Sequence, residues 1–67
     1  MDFHIRLKKT REERGLSLQQ LADAVGVTKQ ALSRYEKNYI QPRIPVLAEL
    51  ARVLGVTTDY LCGVDED

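Results

Sequence analysis

Lys29, Gln30, Ser33, Arg34 and Lys37 are the side chains of this 67-residue chain whose types and spacing point most directly to chemistry. On a helix turning about 100° per residue, Lys29, Ser33, Lys37, Gln30 and Arg34 fall in that order across one sector of about 140°. Ala31, Leu32 and Tyr35 fall on the other side. The outer face therefore offers cations and amide and hydroxyl groups on a helix backed by apolar residues. Lysine, arginine and glutamine presented on a rigid support suit entry into a DNA groove. The same wheel also describes an ordinary solvated helix face, and by itself it does not separate the two.

Covalent and metal chemistry find little footing. His4 and Cys62 occur once each and lie far apart in the chain. Neither has a triad partner or metal-ligand spacing around it. No glycine-rich phosphate loop is present. The expectation is a chain that is not an enzyme, with no catalytic residue, no metal and no cofactor, and with His4 and Cys62 structural or idle.

The scaffold that must hold these side chains is one domain at most, over 1–67, since the chain has 67 residues. Apolar residues at 43% and charged residues at 30% fit a globular, soluble chain. Its core is thin, because a domain of this size buries only about 60% of its unfolded surface. One cysteine excludes an internal disulfide framework and fits a reducing cytosol. No apolar run approaches the roughly 18 residues a membrane span needs, and no signal peptide opens the chain. The expected location is cytoplasmic, with no membrane partner and too little chain for an added effector-binding domain.

The formal net charge is zero, which argues against an anionic partner. Its distribution argues for one. Residues 1–43 carry nine basic against five acidic side chains, a net +4, and residues 44–67 carry the balancing −4. Such a split suggests one face for an anion, or an acidic tail over 64–67 on an ordinary surface.

The periodicity gives five helices and no strand. A first helix over about 3–14 carries Phe3, Leu7 and Thr10 on one stripe, with Arg6, Lys8 and Lys9 outward. Gly15 suits its left-handed stop. A second starts at Ser17, where Ser17 with Gln20 forms a capping box and Leu16 with Leu21 a hydrophobic staple. Its buried stripe is Leu21, Ala22 and Val25, and Gly26 ends it. The third, 28–37, opens at Thr28 with Val27 and Leu32 as staple, and Asn38 can take the left-handed position that stops it. A fourth spans about 44–54, with Leu47, Leu50, Ala51 and Leu54 inward. A fifth starts at Thr57 and ends at Gly63.

Leu21-Ala22, Val25-Gly26-Val27-Thr28 and Leu32 recur 29 residues later as Leu50-Ala51, Leu54-Gly55-Val56-Thr57 and Leu61. Both stretches read as helix, glycine stop, staple, cap, helix. Two copies are too few for a solenoid. Only the first copy has a cationic outer face, since Thr58, Asp59 and Cys62 follow the second cap.

The stretch L-S-L-Q-Q-L-A-D-A-V-G-V-T-K-Q-A-L-S-R-Y-E-K-N, followed by Pro42 and L-A-E-L-A-R-V-L-G-V, resembles the lambda-repressor/Cro-like (XRE-type) helix-turn-helix transcriptional regulators. The resemblance covers about 3–63. It implies an all-α fold, a compact five-helix DNA-binding domain with its helix-turn-helix at 17–37. It implies a sequence-specific regulator of transcription, a repressor, that reads the major groove of double-stranded DNA with helix 28–37. It further implies a homodimer on a pseudo-palindromic operator, two recognition helices about 34 Å apart.

By the same resemblance, Lys29, Gln30, Ser33 and Arg34 face bases. Thr28, Gln19, Lys37, Asn38 and Arg43 face the backbone, and Arg11 with Glu36 forms a salt bridge between the first and third helices. The chemistry agrees. Arginine and lysine donate to guanine O6 and N7, and glutamine pairs with adenine N6 and N7. Thr28 opens a helix whose free N–H groups favour phosphate. There are departures. Leu18 stands where the family usually has a glutamine that contacts phosphate, a role left to Gln19 or the backbone amides. Thr10 stands where leucine is common, and His4 where a small residue is common, so the first helix is expected to pack less tightly.

A rival from another class is a protein-interaction module on the same fold, an antitoxin-like or regulatory partner. The neutral net charge, Leu18 and the acidic second part motivate it. Leu18, Tyr39, Ile40, Ile44 and Val64 are candidate exposed apolar residues. The fifth helix and tail, through Tyr60, Leu61 and Val64, are the expected dimer contact.

Overall fold

The punctuation in the sequence becomes five helices in a computed structural model that describes residues 3–64. They are α1 (Phe3–Glu13), α2 (Leu18–Val25), α3 (Lys29–Glu36), α4 (Ile44–Leu54) and α5 (Thr58–Cys62), with no strand among the described residues. Residues 65–67 of the expected acidic tail lie outside the described residues. Ser17, Thr28 and Thr57 adopt extended backbone and act as caps, so α2, α3 and α5 each begin one residue later than the cap. Each cap oxygen accepts the N–H three residues on, satisfying a donor the helix leaves open. At Ser17 the capping box is complete, because Gln20 Oε1 accepts the Ser17 N–H at 2.8 Å.

The repeated sequence is a repeated structure. Gly26 (φ 86) and Gly55 (φ 73) both take the left-handed conformation. The Val27 and Val56 N–H groups close back on the Ala22 and Ala51 carbonyls at 3.0 Å. Side chains with a Cβ resist this conformation, which is why glycine marks both turns. Asn38 (φ 62) does the same after α3, and the Tyr39 N–H returns to the Arg34 carbonyl at 2.9 Å.

The helices close on a core of Leu7, Leu21, Ala22, Leu32, Leu50, Leu54 and Leu61, with Tyr35 and Ala51 at its edge. α2 packs on α3 and α4, α1 on α3 and α5, and α4 on α5. α3 is thus supported from behind by α1 and α2. No helix of the described residues is long and apolar enough to cross a membrane.

Three expectations need correction. Arg6 does not face outward; it is 4% exposed. Its Nη1 donates to the Tyr60 carbonyl at 2.7 Å, and the guanidinium sits 4.5 Å from the Tyr60 ring centroid. The wheel places Arg6 only about 40° from Thr10, on the inner side. A planar guanidinium tolerates burial when a carbonyl and an aromatic face receive it. Leu18 is half-buried against the core instead of exposed. Leu61 is fully buried and so is closed to any dimer contact, while Val64 is 68% exposed.

The arginines of α1, and Arg14 in the turn that follows it, work as ties. Arg6 reaches α5, and Arg14 Nε donates to the Leu54 carbonyl at the end of α4. Arg11 donates to the Leu16 carbonyl and to Glu36 of α3. Cations that cap helix C-termini complement the exposed carbonyls there. Lys8 and Lys9 are exposed.

Thr10 is 1% exposed, and its hydroxyl has no partner among the described residues. An unsatisfied buried hydroxyl costs about 1–3 kcal/mol. Thr10→Val is therefore expected to raise stability by about 1 kcal/mol, a gain of about 4–8 °C in Tm for a domain this size. A thermal melt that shows no gain rejects this account of Thr10.

Candidate nucleic-acid interface

The site is built on α3. Leu32 and Tyr35 anchor its inner face in the core, and Thr28 fixes its first turn through a 3.0 Å bond from the Ala31 N–H. The outer face then follows from the period of the helix. Lys29, Gln30, Arg34 and Lys37 are exposed and Ser33 is half-buried. These five line one open groove of about 350 Å³, whose walls are Leu18 at the start of α2 and Tyr39 after α3. Among the described residues, no hydrogen bond or ion pair engages the side chains of Lys29, Gln30 or Arg34. Their donors point to solvent from a fixed backbone. Lys37 Nζ lies 6.0 Å from the Tyr39 ring centroid, at the outer limit of a cation–π contact.

Glu36 is the acid that would spoil this face. It is held away by Arg11, whose Nε lies 2.7 Å from Oε2 and Nη2 3.1 Å from Oε1. The fork is bidentate, and the two side chains are only 10% and 6% exposed. The hydrogen bond to Glu36 raises the Arg11 guanidinium above its ordinary value, while burial acts in the opposite direction. Arg11 is fixed further by donating to the Leu16 carbonyl at 2.8 Å. The pair thus joins α1 to α3 and withdraws a negative charge from the groove.

The residues read as backbone contacts are more dispersed. Thr28 stands at the start of α3 and Lys37 at its end, beside the groove. Gln19 lies outside the groove lining, and its Nε2 donates to Asp23 Oδ1 at 2.8 Å. Asn38 occupies the turn after α3, where its Oδ1 accepts from Gln41 Nε2 at 3.2 Å. Arg43 is the exposed residue before α4, with no side-chain capping bond. His4 sits half-buried on α1 and Cys62 exposed on α5. No group of three His, Cys, Asp or Glu side chains suited to a metal occurs among the described residues.

Sequence reading left Tyr39 without a role in the groove. The signal was its place directly after Asn38, since a left-handed residue turns the chain back along the helix end. It also set Leu18 aside as the poorest fit, although Leu18 shares the groove with the base-reading candidates. Ile5, 49% exposed on α1, was not singled out at all.

A capped helix pair turned at Gly26, with the second helix presenting its polar face, defines a helix-turn-helix of the lambda-repressor type. Residues 7–61 match the helix-turn-helix family model, and the chain belongs to that family. YonR, an HTH-type transcriptional regulator from the SPbeta prophage of Bacillus subtilis (strain 168), is 42% identical over 59 residues, 88% of this chain and 55% of YonR. The P22 c2 repressor, crystallised with a synthetic operator, has TM-score 0.89 at 26% identity, over 92% of this chain and 94% of that one. SinR, the master regulator for biofilm formation, crystallised with DNA, has TM-score 0.83 at 38% identity, over 88% and 95% of the two chains. The chain spans about half the length of the curated relatives it matches.

Proposed function

We propose that this chain is the DNA-reading part of a transcriptional repressor that binds double-stranded operator DNA with α3 in the major groove. The observation that carries the reading is the unengaged outer face of α3: Lys29, Gln30 and Arg34 free of partners among the described residues, with Glu36 locked behind them. In the groove, Arg34 and Lys29 donate to guanine, Gln30 pairs with adenine, and Ser33 bonds to either. Thr28, Lys37, Asn38 and Arg43 fix the register through phosphates, and α1 keeps the helix rigid. The P22 c2 repressor was crystallised with a synthetic operator and SinR with DNA, which supports the reading.

One such domain contacts little DNA. Two copies on a pseudo-palindrome would present two α3 helices about 34 Å apart. The protein is proposed to act as a homodimer in the cytoplasm. With Leu61 buried, Tyr60 and Val64 are what remains of the suggested dimer contact.

Selection from a random DNA pool tests binding, specificity and half-site spacing together. The expected product is a pseudo-palindrome with half-sites about 10 base pairs apart. Binding to it should weaken with salt, log K falling by about 0.9 per phosphate contacted for each decade. Failure to enrich any sequence at low salt would defeat the repressor reading and favour a protein-interaction module.

A further inference from the structure

Resting on that reading, we infer that Leu18 is a specificity residue whose isobutyl group takes the 5-methyl of a thymine. Leu18 is the first residue of α2, and it lines the groove together with Lys29, Gln30, Ser33 and Arg34 of α3. It is half-buried, so its stem is held by the core while its free side opens into the groove. All of the α3 side chains facing that space are hydrogen-bonding or cationic.

An apolar group among them has no polar partner to offer. On the major-groove edge of unmodified DNA, the apolar feature of a base pair is the thymine C5-methyl. Leucine cannot donate to a phosphate, so the position loses one backbone contact and gains sensitivity to that methyl. The wall formed by Leu18 thereby converts a sequence-independent anchor into a base-reading one. Because it lines the same groove as Gln30, the thymine it meets belongs to the same half-site that Gln30 reads.

The test uses the duplex enriched from the random pool, with each thymine of a half-site replaced in turn by deoxyuridine. That change removes the methyl and leaves every hydrogen-bonding group in place. At one position the unaltered protein should bind about fourfold more weakly, the worth of one buried methyl. Leu18→Ala should bind the thymine and deoxyuridine duplexes equally. Leu18→Gln should also lose the discrimination, while its salt slope stays that of the unaltered protein, because a neutral amide on a phosphate releases no counterion. Far-ultraviolet circular dichroism and a melt on both variants confirm that they fold.

Equal binding of the unaltered protein to all deoxyuridine duplexes overturns the inference, as does a half-site without thymine. Discrimination that persists in both Leu18 variants overturns it too. In those cases salt-dependent binding to the selected duplex leaves the repressor reading standing. Absence of any binding removes both.

Discussion

Arg34→Ala is expected to weaken binding to the selected operator by about 10- to 100-fold and to relax preference at one base pair, with little change in stability. Arg34 is exposed on the outer face of α3 and has no internal partner among the described residues, so its removal leaves the core untouched. Its guanidinium can bond both guanine acceptors at once, and bidentate pairs discriminate by about 1–3 kcal/mol. Arg34→Lys separates the causes. It keeps the charge, and hence the salt slope, while losing the fork that reads the base. A fluorescence titration against the operator and its single-base variants measures both. If Arg34→Ala weakened every sequence by the same factor, Arg34 would be a phosphate contact and the base-reading role would pass to Lys29 and Gln30.

The second large effect concerns stability. Arg11→Ala should destabilise the fold by about 3 kcal/mol, because it strands a buried carboxylate at Glu36. The Leu16 carbonyl also loses its donor. A chain of this size has a total stability of only several kcal/mol, so the loss should lower Tm by at least 12 °C or so. Glu36→Gln should cost less, since an amide oxygen still accepts from the guanidinium. Replacing Arg11 by Met and Glu36 by Leu together should recover most of the loss, as apolar replacements of buried ion pairs commonly do. Denaturant titration of the unaltered protein, Arg11→Met, Glu36→Leu and the double variant gives the coupling directly. Additive single effects would mean that the pair contributes nothing beyond two separate side chains.

The two predictions are connected. Glu36 is the last residue of the short helix that carries Arg34, and Lys37 is its C-cap. Freed from Arg11, its carboxylate can turn toward the groove and repel phosphate. Arg11→Ala should therefore weaken DNA binding even under conditions where the protein is fully folded, and Arg11→Met with Glu36→Leu should not.

Much of this molecule is local in origin. Ser17, Thr28 and Thr57 announce helix starts, and Gly26, Gly55 and Asn38 announce stops, because caps and left-handed turns depend on residues within five positions. The polar sector of α3 follows from the helical period alone. These features made the five helices and the cationic face legible without coordinates, and the quoted motif made the family legible with them.

Other features are decided between elements far apart in the chain. Arg6 looked like a surface charge because its type outweighed its place on the wheel. Only the arrival of Tyr60, 54 residues away, supplies the carbonyl and the ring that let it be buried. Thr10 looked like loose packing, and tertiary closure instead leaves its hydroxyl without a partner. Leu61 looked available to a second copy until the closing helices covered it.

The helices, their stops and the cations of α3 are set by short-range hydrogen bonding and periodicity, which any stretch of the chain carries within itself. Tertiary structure decided the rest of the site. It placed Leu18 and Tyr39 as walls of the groove, and it brought Arg11 within 2.7 Å of Glu36 across 25 residues. Those placements depend on how α1 and α2 pack behind α3, and on the low exposure that makes a bidentate pair form there instead of two hydrated charges.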